Sequence, residues 1–131
     1  MIFIDASAWI EYFRDGKPSI VALIDSALSN NLAAIGDLVY CEVMQGISLK
    51  RERDYVGPLL LSLPKFEMVG FERAEKAAAN YRMLRSKGIT VRKTIDVMIG
   101  TFCAENKFPI IHNDRDFDLM APHIGLEVFK G

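Results

Sequence analysis

The chain has 131 residues, half of them hydrophobic and a quarter charged, which fits one globular domain spanning 1–131 and leaves no room for a second. Sixteen lysines and arginines against 17 aspartates and glutamates give a formal net charge of −1, so any cationic footprint for nucleic acid has to be local. No apolar run approaches the ~20 residues of a spanning helix, no signal peptide precedes the first strand, and Cys41 and Cys103 lack metal-ligand spacing; the expectation is a cytoplasmic chain, free of membrane, with reduced and mostly buried thiols.

Ile2-Phe3-Ile4 is a wholly apolar run that stops at Asp5, the pattern of a central strand covered on both faces. The stretch Ser7 to Phe13 reads as a helix with Ser7 at its N-cap. After a break at Gly16 and Pro18, Ile20, Leu23, Ile24, Ala27 and Leu28 form the apolar stripe of a second helix, from about Ser19 to Ser29. Leu32 to Gly36 reads as a strand, and Asp37 as the cap of a helix that carries Glu42 among apolar neighbours. The charge-rich stretch Ser48 to Asp54 predicts a solvated helix start, and Gly57-Pro58 limits how far that helix runs. Phe66 to Val69 reads as a strand, and Phe71 to Ser86 as a helix stopped by Lys87-Gly88. Thr94 is expected to cap a helix with Asp96 in its first turn, where the helix dipole favours a carboxylate. Phe108 to His112 is a strand that runs into Asn113-Asp114-Arg115-Asp116-Phe117-Asp118. A short helix ends before Pro122, and Leu126 to Phe129 makes a final edge strand.

Strands alternating with helices specify an α/β fold, with a parallel sheet of four to five strands between two helical layers. In such sheets sites form at the carboxyl ends of the strands. Asp5 and the Asp114 to Asp116 turn follow strands directly, Glu42 lies early in the helix after the second strand, and Asp96 opens the helix before the fourth. If the first and fourth strands are neighbours, all of them share one rim. Acids brought that close cannot all stay ionised without a cation, because each raises the pKa of the others. A divalent ion bound through oxygen is the match, Mg²⁺ with Mn²⁺ as substitute, and such an ion activates water against a phosphodiester. Zinc is disfavoured because neither His nor Cys occurs in ligand pairs. Arg92, Lys93 and Arg115 flank the acids as candidates for phosphate contact, with Ser7 and Asn113 as polar candidates beside them and Arg14 at the end of the first helix. His112 reads as a strand-end residue with a structural hydrogen bond, and His123 as a surface residue.

Asp5 in IFIDASAWIEYF, Glu42 in YCEVMQG, Asp96 in TIDVMIGTFCAENK and the stretch IIHNDRDFD together resemble the four acidic motifs of PIN-domain ribonucleases, and of the VapC toxins of toxin–antitoxin pairs in particular. The resemblance covers essentially the whole chain. It implies a PIN-like fold, metal-dependent endonucleolytic cleavage of RNA, a homodimer, and inhibition by a VapB-type antitoxin whose tail fills the active-site groove. Carried over by position, Asp5 and Asp96 are the central metal ligands, and Glu42 is a ligand through water or an acid just behind. The fourth acid is Asp116 by alignment to Phe117, or Asp114 by its closeness to the strand end. Ala6 stands where the family commonly has a hydroxyl residue, and His112 where a Thr is usual. Trp9, with Tyr12 and Phe13, lines either a dimer or antitoxin surface or the core. Two rivals remain, an RNA-processing PIN nuclease without a toxin role and a non-catalytic α/β interaction module; a third, a phosphoaspartyl hydrolase, is disfavoured. The last needs a second Asp where Ser7 stands.

Overall fold

Every residue of strand β1 (Ile2–Ile4) is buried, and the reason is its central place. The computed structural model describes residues 1–131 and contains β2 (Ala33–Gly36), β3 (Lys65–Phe66) and β4 (Ile110–Ile111) in one sheet of order β3-β2-β1-β4. All pairings are parallel, with Ile2 opposite Ala33, Ile4 opposite Ile111 and Ile35 opposite Lys65. Seven helices flank the sheet: α1 (Ala6–Phe13), α2 (Pro18–Ser29), α3 (Asp37–Gln45), α4 (Lys50–Leu61), α5 (Gly70–Ser86), α6 (Thr94–Asn106) and α7 (Arg115–Ile124). None is long and apolar enough to cross a membrane.

Side chains alternate along a strand, so Phe3 faces one side of the sheet while Ile2 and Ile4 face the other. Phe3 packs edge-on against Phe102 of α6 at 5.1 Å between ring centroids and stacks on Phe108 at 5.5 Å. Such pairs each add about 0.5–1.5 kcal/mol beyond area burial. Ile2 and Ile4 are buried as well, so both faces are covered and one apolar core encloses the sheet. The direct neighbour relation of β1 and β4 brings the two strands that end in acids side by side.

Several local expectations yield to packing. The first helix begins at Ala6, and Asp5 rather than Ser7 is its N-cap. Likewise Gly36 and Lys93 occupy the N-caps expected of Asp37 and Thr94. Helix α4 runs through Gly57-Pro58 because Val56, Gly57 and Leu60 are buried, and the ladder resumes where the Ser62 amide donates to the Pro58 carbonyl at 3.0 Å. Helix α7 passes through Pro122 for the same reason, held by buried Phe117, Met120 and Ala121. The strand expected at 66–69 shrinks to Lys65–Phe66, and the final edge strand to one parallel bridge between Ile110 and Val128. Cys103 is buried but Cys41 is exposed. Trp9 is fully buried and stacked on Phe13 at 5.5 Å, so it belongs to the core and not to a docking surface.

Close packing at the end of β2 generates a test. Gly36 has an ordinary φ of −105°, yet a Cβ there would lie 2.1 Å from Sδ of the fully buried Met68. Gly36→Ala is expected to lower unfolding stability by about 1–3 kcal/mol through overpacking. Chemical denaturation checks this, and Met68→Ala in the same background is expected to cost less than the two separate losses combined.

Candidate metal centre

Asp5 occupies the junction between β1 and α1, with no loop between them. Its amide completes the sheet by donating to the Ile111 carbonyl at 2.9 Å. Its Oδ2 accepts from the Ser7 amide at 3.0 Å and the Ser7 hydroxyl at 2.6 Å. The same hydroxyl accepts from the Asn113 amide at 2.9 Å, so Ser7 ties the end of β1 to the turn after β4. With Oδ2 held in this way, Oδ1 is buried and has no hydrogen-bond donor.

Two more acids lie beside Asp5. Glu42 on α3 and Asp96 in the first turn of α6 bring carboxylate oxygens to within 4.8 Å of one another and of Asp5. Oε1 of Glu42 and Oδ2 of Asp96 are also buried without a donor. Three clustered carboxylates thus each carry a buried oxygen that no protein donor meets. Burial, followed by the charge of Asp5, pushes the Asp96 carboxyl up to about 7, although Lys93 opposes the shift. The dipole of α6 on its own would favour the ionised form, and loss of water outweighs it. Glu42 is raised too, by burial first and the Asp5 charge second, with Lys93 Nζ 3.8 Å from its Oε2 working the other way. An oxygen-only set of anionic donors, each lacking a partner, fits a hard divalent cation.

The fourth stretch lies against the same acids. Oxygens of Asp96, Asp114 and Asp116 also fall within 4.8 Å of one another. Asp114 caps α7, and Arg92 reaches both acids, with Nη2 on Asp114 Oδ1 at 2.9 Å and Nε on Asp116 Oδ2 at 3.0 Å. Burial alone would raise Asp116; its two hydrogen bonds and ion pair with Arg92 outweigh that and leave it lowered. His112 accepts the Asp114 amide on Nδ1 at 3.0 Å, which assigns the ring proton to Nε2, 3.0 Å from Asp118 Oδ1. It therefore shapes the acidic turn, as a strand-end hydrogen bond would.

The acids expected from sequence, Asp5, Glu42, Asp96, Asp114 and Asp116, all converge. Of the expected phosphate contacts, Arg92 is turned onto the acids themselves, Lys93 stands beside Glu42, Arg115 is exposed, and Asn113 contributes its backbone amide. Arg14 is instead paired with Glu11. His123 is exposed, as expected. The sequence reading missed the Ser7 to Asn113 link, the Arg92 fork and the Asp118 partner of His112. Only the last had a local signal, since Asp118 follows His112 by six residues in the same turn. A pocket of about 580 Å³ lies elsewhere, between α1, α3 and α4, lined by apolar Ile10, Phe13, Val43, Ile47 and Tyr55 together with charged Arg14, Arg51 and Glu52.

Residues 2–121 match the family model described as PIN domain. A VapC ribonuclease of Mycobacterium bovis is 31% identical over 123 residues, which is 92% of each chain. Among solved structures, the DNA-bound VapBC of Salmonella typhimurium superposes with a TM-score of 0.76 at 19% identity, covering 98% of both chains. VapBC2 of Rickettsia felis bound to a promoter fragment gives 0.73 at 18%, covering 98% of this chain and 99% of that one. Four acidic stretches, far apart in sequence, close on one rim of a parallel sheet, and the match runs through all of them: the chain belongs to the PIN-domain family, among the VapC ribonucleases.

Proposed function

We propose that this chain is the toxin of a type II toxin–antitoxin pair, a metal-dependent endoribonuclease that hydrolyses single-stranded or looped RNA. The observation that carries the reading is the clustering of Asp5, Glu42 and Asp96, whose carboxylates come within 4.8 Å of one another and each keep a buried oxygen without a donor. These residues would hold Mg²⁺, with Mn²⁺ as a substitute. When bound, the ion supplies Lewis-acid activation of a water and charge stabilisation at the scissile phosphate.

The chain's own residues set the conditions for that chemistry. Ser7 fixes Asp5 by holding Oδ2, which leaves Oδ1 as the oxygen on offer. Burial of Asp96 keeps it poised between protonated and ionised near neutral pH, so cation binding displaces a proton there. Asp114 and Asp116, oriented by Arg92 and His112, complete the acidic wall. Lys93, more than half exposed beside Glu42, offers its charge to an incoming RNA backbone. Likeness to a VapC ribonuclease at 31% identity supports the toxin reading over a general RNA-processing role.

Purified protein is expected to cleave a looped RNA in Mg²⁺, leaving 5′-phosphate ends. EDTA, Asp5→Asn and Asp96→Asn are each expected to reduce the rate by 100-fold or more, on the order of the loss from removing a catalytic electrostatic group. Cleavage at the wild-type rate in both variants would overturn the site.

Asp96 also predicts a pH dependence with a definite sign. Its folded pKa lies above the ordinary 3.8, at about 7. The stability that protonated Asp96 contributes to the metal-free protein is full below pH about 4 and lost as pH rises through about 7. The thermal midpoint of metal-free wild type therefore declines over this window relative to Asp96→Asn, and the variant exceeds it by about 5 °C at pH 8, on the scale of 1–2 kcal/mol for a domain this size. Added Mg²⁺ is expected to restore the wild type and leave the variant unmoved, as read by thermal melts at pH 5 and pH 8.

A further inference from the structure

The acids form two groups that share Asp96, and a cationic side chain bridges two acids in only one of them. In the group of Asp5, Glu42 and Asp96, every member keeps a buried oxygen without a donor. In the group of Asp96, Asp114 and Asp116, the last two each have one oxygen supplied, and in both cases by the same arginine. Asp114 Oδ1 accepts from Arg92 Nη2 at 2.9 Å and from the Asp116 amide at 3.0 Å. Asp116 Oδ2 accepts from Arg92 Nε at 3.0 Å and from the Arg92 amide at 3.3 Å. A single guanidinium thus bridges two carboxylates of the group that would be needed to hold a second divalent ion.

We infer that Arg92 takes the place of a second divalent cation, so that the centre binds one metal ion, at the Asp5, Glu42 and Asp96 end. The inference rests on the metal centre proposed above and adds to it the number of ions and the residue that sets that number. A guanidinium that donates one charge-assisted hydrogen bond to each of two carboxylates offsets the negative charge that a second cation would need. A cation entering beside Asp114 and Asp116 would have to compete with the guanidinium charge already paired with both carboxylates and share Asp96 with the first ion. Lys93 does not act the same way on the other group: at 3.8 Å from Glu42 Oε2 it forms no direct hydrogen bond and leaves Oε1 bare. The Arg92 side chain is 63% exposed, so it closes the second position from outside, and its removal leaves the core intact.

The test is Mn²⁺ stoichiometry on the full chain, by calorimetric titration and by electron paramagnetic resonance. Wild type is expected to bind one Mn²⁺ per chain. Arg92→Ala is expected to bind two, with a spectrum broadened by coupling between nearby ions, and Arg92→Gln to do the same while keeping the length of the side chain. Adding Asp116→Asn to Arg92→Ala is expected to return the count to one. Two ions in wild type, one ion in both Arg92 variants, or two in the double variant each overturn the inference and leave the metal centre standing. No Mn²⁺ bound to wild type overturns the metal centre itself, and the inference with it.

Discussion

Mutual repulsion among buried carboxylates is the constraint on which this fold turns. Asp5, Glu42 and Asp96 are held close, shielded from water, and each left with an oxygen that nothing in the protein satisfies. A buried, unpaired acid costs several kcal/mol unless it takes up a proton or a cation. The chain tolerates the arrangement because the elements that hold the acids are secured elsewhere: β1 by its two sheet neighbours and the phenylalanine cluster around Phe3, and α6 by burial along most of its length. Stability is supplied by the apolar core and spent at the rim.

The cations nearby relieve this repulsion unevenly, and the unevenness gives the site its direction. Arg92 and Lys93 are adjacent in one loop, yet one grips two acids directly while the other stands off from a third. Ser7 adds a second asymmetry by satisfying one oxygen of Asp5 and not the other. Together they leave three clustered acids, each with a buried oxygen that no protein donor meets.

Much of this was legible in the sequence, for a physical reason. A short apolar run ending in a carboxylate marks a buried strand leaving a sheet, and both Asp5 and the Asp114 to Asp116 turn carry that mark. Order and spacing then brought Glu42 and Asp96 to the same rim. Features that depend on distant contacts were not legible. The helix dipole argued for an ionised Asp96, and burial by other elements reversed the balance. Arg92 looked like a phosphate contact because nothing local shows that Asp116, 24 residues on, folds back beneath it. Pro58 and Pro122 looked like helix ends because the proline rule is local, whereas the burial of Leu60 and Met120 that carries each helix onward is not. Trp9 could be core or surface until its neighbours were placed, and it proved to be core.

Anomalous diffraction from crystals grown with Mn²⁺ tests the metal centre most directly, because it locates the ion without reference to activity. The predicted result is a peak bordered by the carboxylates of Asp5, Glu42 and Asp96, with Arg92 still on Asp114 and Asp116. A peak elsewhere, or no peak with those three acids paired to protein donors, would contradict it.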